Sequence, residues 1–276
     1  LGMDDTILYS SCFDANGGLF ETLLSEDCAV ISDELNHASI IDGIVLSRAP
    51  FQRFRHNDFD HLEEIISQKG GDYRQILVIV ESVYSMDGDQ ADMERLIALK
   101  RKHPGVILYV DEAHAFGVLG PKGLGLAAAS SAPGEIDIIV GTFGKAAASM
   151  GAFAITGLDM HDYLVNTARS FIFSTAIPPM SVAWTRFTVG NLIQKDNRRE
   201  YLQRLGIQLS EVLNRYTDHK VAPSHIQPLI VGDPKKAVEL SRQLLSRYGI
   251  KALPIRKPTV AAGTERLRFS LSCAML

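Results

Sequence analysis

Three short apolar runs, each rich in β-branched residues, recur through the first half of the chain at Ile76–Val80, Val106–Val110 and Ile136–Val140. The segment Asp92–Leu99, between the first two runs, places apolar residues at helical spacing and stops near a proline–glycine pair. Apolar strands that alternate with amphipathic helices predict a mostly parallel sheet with helices on both faces. The pattern therefore indicates an α/β fold.

Polar side chains follow all three runs, at the strand ends where ligands gather in parallel sheets. Glu81 follows the first run, Asp111 and His114 the second, and Thr142 and Lys145 the third. An acidic residue after one strand and a lysine in a small-residue turn after the next is the arrangement that a pyridoxal phosphate (PLP) enzyme requires. The lysine forms an imine with the cofactor, and the aspartate keeps the pyridine nitrogen protonated so that the ring accepts electrons.

Other interpretations of these motifs remain open. Lys145 alone is typical of a solvated lysine after a buried strand. Asp111-Glu112-Ala113-His114 also spells the acidic box of certain helicases, whose phosphate loop should come earlier in the chain and end in Gly-Lys-Ser/Thr. Here Gly144-Lys145 comes after the box and precedes Ala146, so a nucleotide hydrolase is disfavoured.

The last third of the chain has a different pattern. Pro178-Pro179 precedes a long predicted helical stretch from Met180 to Tyr216, and Lys235–Tyr248 is an amphipathic helix before Gly249. The segments Ile226–Val231 and Arg266–Leu271 are strand-like, the latter with period two. We therefore expect a large domain over residues 1–180 and a smaller α/β domain over residues 181–276.

Composition narrows the functional classes. The 276 residues are 46% hydrophobic and 22% charged with net charge −4, as in ordinary globular proteins. Lys and Arg are scattered, so no nucleic-acid partner is expected, and no apolar run reaches the roughly 20 residues that span a bilayer. Three widely spaced cysteines argue against disulfides and a metal site and fit a reducing cytoplasm.

Both ends of the sequence have features typical of a truncated chain. The sequence begins at Leu1-Gly2-Met3 without an initiator methionine and stops at Met275-Leu276, directly after a strand-like segment. We therefore expect a chain truncated at both ends.

Further candidate residues lie outside the three strand ends. His37 reads as a helix-start residue that could instead stack on a cofactor ring, and the backbone amides of Cys12 and Phe13 could meet a phosphate at a helix N-terminus. Ser85, beside Asp87-Gly88, and the pair Ser174-Thr175 could equally be turn residues.

Taken together, these segments resemble the α-oxoamine synthase family of fold-type I PLP enzymes, from about Cys12 to Ser272. Ser11–Glu21 and Ile31–Gly43 resemble members that condense glycine with acetyl-CoA. Other stretches resemble members that condense L-alanine with a pimeloyl thioester, namely Ser85–Asp89, Ser174–Pro179, Ile226–Asp233 and Ile255–Leu271.

The resemblance implies a role for each candidate residue. Lys145 would form the imine, Asp111 would pair with the pyridine nitrogen, and His114 would bond the ring hydroxyl. The other cofactor contacts implied are His37 stacked on the ring, Ser85 and Thr142, the amides of Cys12 and Phe13, and Ser174 and Thr175 from a partner subunit. Glu81 would lie near the reacting centre, Arg268 would grip the amino acid carboxylate, and Thr259 would lie in the acyl-chain region.

The implied activity is a decarboxylative condensation of an amino acid with an acyl-CoA or acyl-carrier-protein thioester in a homodimer with shared active sites. We expect alanine and a pimeloyl thioester, with glycine and acetyl-CoA or a non-enzymatic scaffold as alternatives. Ala146–Ser149 stands where the family has a glycine-rich stretch, and Ala115-Phe116 replaces smaller residues.

Overall fold

The structure is a computed structural model that describes residues 5–69 and 71–275. Residues 1–3 and 276, which bear on the expectation of truncated ends, lie outside the described part. The chain forms two compact units. The first runs to Val83 and continues over Gln90–Lys195, and the second combines Tyr84–Asp89 with the chain from Asp196 onward. The division expected at residue 180 thus falls inside the first unit.

The first unit is built on a seven-stranded sheet in the order β1-β7-β6-β5-β4-β2-β3. The strands are Asp5–Tyr9 (β1), Cys28–Asp33 (β2), Phe51–Phe54 (β3), Gln75–Glu81 (β4), Val106–Asp111 (β5), Ile138–Thr142 (β6) and Ala152–Thr156 (β7). Strands β2 to β6 are parallel, whereas β7 runs antiparallel to β6 and β1. The prediction of a mostly parallel sheet is confirmed.

Helices connect these strands and cover the sheet. They are Cys12–Leu23 (α1), Ala38–Ser47 (α2), Phe59–Lys69 (α3), Met93–Lys102 (α4), Leu158–Thr167 (α5), Arg169–Ile172 (α6) and Pro179–Leu192 (α7). Helix α4 begins where expected, because Asp92 accepts a hydrogen bond from the Arg95 backbone N–H, 3.1 Å away. Helices α1 and α2 pack closely, since a Cβ on Gly43 would lie 2.8 Å from the Phe20 ring.

The stretch from Met180 to Tyr216 is mostly helical, as expected, but it is not continuous. It consists of two helices, α7 and Asp196–Leu213 (α8), with a break at residues 193–195. Helix α7 belongs to the first unit because the Trp184 indole donates to the Ala148 carbonyl over 2.9 Å and because Val189 packs against a cluster around Phe143. The second unit therefore starts later than the proline pair suggested.

The second unit contains a three-stranded antiparallel sheet in the order β8-β10-β9. Its strands are Ile226–Ile230 (β8), Leu253–Ile255 (β9) and Arg266–Ser270 (β10), and its helices are α8 and Pro234–Tyr248 (α9). Helix α9 starts at the N-cap Asp233 and ends at Gly249, whose φ of +68° suits a left-handed C-cap. The turn Tyr84–Asp89 is attached to this unit by a salt bridge of 2.5 Å between Asp87 and Arg266.

The core of the first unit lies between its sheet and helices. Every residue of β2 is buried, and Tyr109 and Phe20 are fully buried with ring centroids 4.9 Å apart. Within the described residues, no helix is both long enough and apolar enough to cross a membrane.

Candidate active site

The carboxyl ends of β4, β5 and β6 bring the predicted polar residues to one edge of the sheet. Glu81 and Asp111 are paired directly across the parallel strands β4 and β5, and Asp111 is paired with Val140 of β6. The loop after β6 carries Lys145, whose Nζ lies 3.0 Å from His114 Nε2. The strand-end pattern in the sequence thus correctly placed Glu81, Asp111, His114 and Lys145 together.

Asp111 is buried and held by hydrogen bonds to both carboxylate oxygens. Its Oδ1 accepts from the Ala113 backbone N–H over 2.8 Å, and its Oδ2 accepts from Asn16 Nδ2 over 3.3 Å. Cys12 Sγ lies 3.8 Å from the same Oδ2. Burial raises the pKa of the Cys12 thiol, and Asp111 raises it further, so Cys12 is a protonated packing group rather than a nucleophile.

Asn16 is a site residue that the sequence analysis did not single out. Its amide also donates to Ser39 Oγ over 2.9 Å, while its carbonyl accepts from the Tyr109 hydroxyl. The available signal was an asparagine among the small residues before Leu19, because an asparagine that becomes buried there requires hydrogen-bonding partners. Asn16 therefore joins helix α1 to helix α2 and to Asp111.

His37 is the N-cap of α2, as the helix-start prediction required. Its Nδ1 accepts the Ser39 backbone N–H over 3.2 Å and lies 2.8 Å from Ser39 Oγ. Because Nδ1 is an acceptor, the neutral ring carries its proton on Nε2. Partial burial lowers the pKa of His37, which favours this neutral form.

Glu81 is a buried carboxyl group with an unsatisfied oxygen. Its Oε1 has no hydrogen-bond partner among the described residues. Burial, followed by the charge of Asp111, raises the pKa of Glu81 well above its ordinary value, against opposing contributions from Lys145 and the His37 backbone N–H. The group therefore favours a proton, which it could share with a ligand.

Glu112, beside Asp111, is a second fully buried carboxyl group. It accepts hydrogen bonds from the Ala127 backbone N–H over 2.6 Å and from Ser82 Oγ over 2.7 Å. Burial raises the pKa of Glu112 to about 7, although these donors and the Leu126 N–H act in the opposite direction. Sequence analysis treated this residue only as part of the acidic box.

The start of helix α1 offers the expected backbone amides. Ser11 is its N-cap and accepts from the Asp14 N–H over 3.1 Å, so Cys12 and Phe13 occupy the first helical turn, where backbone N–H groups lack intrahelical partners. Next to this helix start, Ser10 Oγ lies 3.4 Å from Ser174 Oγ and 3.5 Å from the Thr175 carbonyl oxygen.

Thr142 has a local structural task. Its hydroxyl donates to the Gly151 carbonyl over 3.2 Å and accepts from the Gly144 N–H over 3.1 Å, so it shapes the loop that carries Lys145. In the same loop Ala148 has φ +49°, the left-handed conformation that glycine adopts without cost.

The second unit holds the remaining candidate residues. Ser85 is buried in the turn Tyr84–Asp89, Thr259 is exposed, and Arg268 lies on β10. Nε of Arg268 is buried and has no hydrogen-bond partner among the described residues, and burial lowers the pKa of its guanidinium group. Such a group is suited to a carboxylate ligand.

The donor set of the first unit fits PLP. An amine, an imidazole and a buried carboxylate lie together, and the buried Glu81 Oε1 has no hydrogen-bond partner among the described residues. A helix N-terminus is available for a phosphate. Within the described residues, no cluster of at least three His, Cys, Asp or Glu side chains is arranged to hold a metal ion.

Comparisons with known proteins show which family the chain belongs to. The family model for aminotransferase class I and II matches residues 1–275. An 8-amino-7-oxononanoate synthase of Haemophilus ducreyi is 45% identical over 273 residues, covering 98% of this chain and 70% of that protein. One from Chlorobaculum parvum is 43% identical over 270 residues, covering 98% of this chain and 68% of that protein.

Solved structures give the same result. Serine palmitoyltransferase from Sphingomonas wittichii aligns with a TM-score of 0.91 and 31% identity over 99% of this chain and 68% of that one. Another serine palmitoyltransferase structure, which contains PLP, aligns with a TM-score of 0.92 at 31% identity, covering 100% of this chain and 69% of that one. An 8-amino-7-oxononanoate synthase from Francisella tularensis aligns with a TM-score of 0.81 and 30% identity, covering 99% of this chain and 78% of that one. The chain therefore belongs to the aminotransferase class I and II family and, within it, to the PLP-dependent α-oxoamine synthases.

Proposed function

We propose that this protein condenses L-alanine with a pimeloyl thioester, releasing CO2 and the free thiol and forming 8-amino-7-oxononanoate for biotin synthesis. The observation that carries the proposal is the grouping of the Lys145 amine, His114, buried Asp111 and Glu81 at the ends of adjacent strands. The choice of substrate is supported by relatives of 43% and 45% identity that bear this activity in their names.

The protein's own residues hold the cofactor and move the proton in this proposal. PLP, when bound, supplies an electron sink for negative charge at the amino acid α-carbon. The Lys145 amine would hold the cofactor, and the same amine would take the proton from the amino acid α-carbon and later return a proton to the product. Asp111 would supply a fixed negative charge for the pyridine nitrogen. Hydrogen bonds from the Ala113 backbone N–H and from Asn16 hold the Asp111 carboxylate in place.

The remaining roles orient the cofactor and substrates. His114, Ser85 and Thr142 would contact the cofactor, His37 would lie against its ring, and the amides of Cys12 and Phe13 would receive its phosphate. Ser174 and Thr175 reach that phosphate from the partner subunit of a homodimer. Glu81 acts near the reacting centre.

Substrate recognition falls to the second unit in this proposal. Arg268 holds the amino acid carboxylate through paired N–H donors, which its unpartnered Nε supports, and Thr259 borders the acyl chain. Because Cys12, Cys28 and Cys273 are free thiols, we place the enzyme in the cytoplasm.

A competition assay on the purified, PLP-loaded protein tests the substrate choice. Each well-buried methylene contributes about 0.8 kcal/mol, so two or three extra acyl contacts favour pimeloyl-CoA over acetyl-CoA by one to two orders of magnitude in kcat/KM. L-Alanine should likewise exceed glycine. Faster condensation of glycine with acetyl-CoA would identify a glycine C-acetyltransferase, and preference for L-serine with palmitoyl-CoA would place the protein with its palmitoyltransferase neighbours.

The attachment site has its own test. Borohydride reduction of the loaded protein, followed by peptide mapping, should place the cofactor on Lys145, and Lys145→Ala should not turn over. An adduct on another lysine would contradict the assignment.

A further inference from the structure

Glu112 is a buried charge carrier that the proposed chemistry leaves without a task. Its side chain is 1% exposed, and its hydrogen-bond donors are uncharged. Oε1 accepts from the Ala127 N–H over 2.6 Å, Oε2 lies 2.7 Å from Ser82 Oγ, and Leu126 N–H also donates to the carboxylate. Burying a carboxylate costs free energy that only its hydrogen bonds or an ion pair can offset. The hydrogen bonds of Glu112 therefore indicate its role.

Glu112 holds both ends of one loop, residues 113–127, the start through its backbone carbonyl and the end through its carboxylate. At its start, the Glu112 carbonyl accepts from the backbone N–H groups of Ala115 and Phe116 over 3.0 and 2.8 Å. At its end, the Glu112 carboxylate holds Leu126 and Ala127. The loop is thus closed by a single residue.

The carboxylate also fixes the shape of the loop and its place on the sheet. Gly125 has φ +95°, and a Cβ there would lie 2.6 Å from the Glu112 carboxyl carbon, so the backbone is packed directly on this side chain. Ser82, which follows β4, binds Oε2 while its backbone N–H donates to the Asp111 carbonyl over 2.9 Å. The Glu112 backbone N–H donates to Val140 of β6 over 2.6 Å, so the loop is tied to three adjacent strands.

This loop supports the lysine segment at two points. His114, near its start, contacts Lys145 Nζ over 3.0 Å. Gly117 lies so close to Ala146, the neighbour of Lys145, that a Cβ on Gly117 would be 2.6 Å from the Ala146 side chain. Any shift of the loop therefore changes the position of both the imidazole and the backbone that carries Lys145.

We propose that Glu112 is a positioning residue for Lys145: its carboxylate closes loop 113–127 over the strand ends, and the closed loop holds His114 and Ala146 in place. The inference rests on the proposed function for the role of Lys145. It does not require Glu112 to touch cofactor or substrate.

The conservative and disruptive variants have opposite expected outcomes. In Glu112→Gln the side-chain oxygen still accepts from the two backbone N–H groups, and the new NH2 donates to Ser82 Oγ, whose hydroxyl turns to the Asp111 carbonyl 3.2 Å away. In Glu112→Leu a side chain of similar volume fills the space. The Leu126 and Ala127 N–H groups are then left without the carboxylate acceptor, while Ser82 Oγ keeps the Asp111 carbonyl. Positioning through hydrogen bonds thus predicts rescue by Gln and loss in Leu.

Hydrogen exchange on the cofactor-free protein tests the clamp without relying on turnover. In Glu112→Leu the amides of residues 113–127 should exchange at least about 10-fold faster than in the wild type, whereas those of β2 should change far less. Glu94 provides a matched control, since its carboxylate accepts from the Ser131 N–H and hydroxyl over 2.7 and 2.5 Å on the protein surface. Glu94→Leu should alter exchange around residue 131 and leave loop 113–127 and turnover unchanged.

Steady-state kinetics on the PLP-loaded protein test the consequence for Lys145. A misplacement of about 1 Å can cost roughly 100-fold in rate, so Glu112→Leu should lose at least about 30-fold in kcat while KM for L-alanine changes less than about 3-fold. Glu112→Gln should stay within about 3-fold of wild-type kcat.

Several results would overturn the proposal. Wild-type exchange in loop 113–127 of Glu112→Leu, or faster exchange spread evenly over the whole sheet, would show that Glu112 does not act through the loop. If Glu112→Leu does not fold, Ser82→Ala is the second test, because it removes the hydroxyl that donates to Glu112 Oε2. Unchanged hydrogen exchange in residues 113–127 of Ser82→Ala would contradict the clamp. A wild type that does not condense alanine with pimeloyl-CoA would contradict the proposed function instead, and the exchange result would still judge the clamp.

Discussion

The carboxyl groups of Asp111 and Glu81 have different surroundings and are therefore suited to different roles. Asp111 receives hydrogen bonds on both oxygens, whereas Glu81, directly opposite it, has one oxygen that meets no hydrogen-bond partner in the described part of the chain. The pKa of Glu81 is raised first by burial and then by the charge of Asp111, so a proton on Glu81 relieves the repulsion at this sheet edge. One of the two can therefore serve as a fixed charge and the other as a proton carrier.

Asp111→Asn tests the fixed charge. The neutral amide cannot stabilise a protonated ring nitrogen through a charge-assisted hydrogen bond, which is about twice as strong as a neutral one. We expect kcat to fall by at least about 100-fold, as for other single electrostatic contacts, while the cofactor still binds. Absorbance titration with PLP and steady-state assays measure the two effects, and near-normal turnover would show that Asp111 is structural.

Glu112→Gln should change how stability depends on pH. The pKa of Glu112 is raised from 4.5 to about 7 in the folded state, so between these values the folded protein holds a proton that the unfolded chain has released. Its contribution is therefore complete below about pH 4.5 and is lost as pH rises through about 7, by roughly 3 kcal/mol. Urea unfolding from pH 5 to 8 should show this slope in the wild type and a flatter difference curve in Glu112→Gln, whereas parallel curves would contradict the assignment.

Ala148→Gly should stabilise the protein. A non-glycine residue in the left-handed region costs roughly 1 kcal/mol, and Ala148 stands in the stretch where the family resemblance implies glycines. Thermal unfolding should show a higher midpoint for Ala148→Gly. Ala147→Gly, at a buried position in the same loop with ordinary φ, should instead lower it.

The sequence predicted the strand-end residues because their positions follow from local pattern alone. Glu81 and Asp111 come directly after predicted apolar runs, and Lys145 lies in the small-residue turn after the third run. Parallel strands must bring those ends together. Asn16 and Ser39 escaped notice because their bonds join α1 to α2, and pairing between helices leaves no signature in the spacing of residues along the chain.

Among whole elements, the strands were predicted better than the last helices. Apolar runs of five residues between turn signals define a buried strand, whereas the break between α7 and α8 at residues 193–195 contains no proline or glycine. The assignment of Tyr84–Asp89 to the second unit likewise depends on the contact of Asp87 with Arg266, 179 residues further along the chain. Such a contact cannot be inferred from local pattern.

A double-mutant cycle on Asp87 and Arg266 tests how firmly this turn is fixed. Their side chains are 17% and 9% exposed, so Asp87→Asn and Arg266→Gln each remove the salt bridge of a mostly buried charge and should cost about 3 kcal/mol in unfolding free energy. The double variant should lose less than the sum, with a coupling of roughly 1–3 kcal/mol by urea unfolding. Strict additivity would show that the pair is incidental.

At the scale of the molecule, the first unit exposes large apolar side chains between β7 and the end of α7. Phe173, Met180 and Phe187 are 74%, 84% and 61% exposed, and apolar surface of this kind marks protein contacts. We expect a homodimer that buries more than roughly 2,000 Å² in total, in agreement with the proposed donation of Ser174 and Thr175 to the partner's site. Sedimentation should show a dimer, and a catalytically competent monomer would contradict it.

Complementation tests the sharing of sites. Lys145→Ala protomers and protomers carrying Ser174→Ala with Thr175→Ala should each be nearly inactive, but mixing and refolding them should restore turnover, because a hybrid dimer has one intact site. If these serine and threonine side chains served their own subunit, no mixture would recover activity.

The non-contiguous second unit has a consequence for exchange of parts between relatives. A crossover near residue 195 would transfer the chain from Asp196 onward but leave Tyr84–Asp89 behind, so the incoming strand β10 would meet a turn selected against a different partner. Productive chimaeras therefore need two inserts from the same parent, one of six residues and one of the whole C-terminal segment. Arg266 and Asp87 are inherited as a pair or not at all.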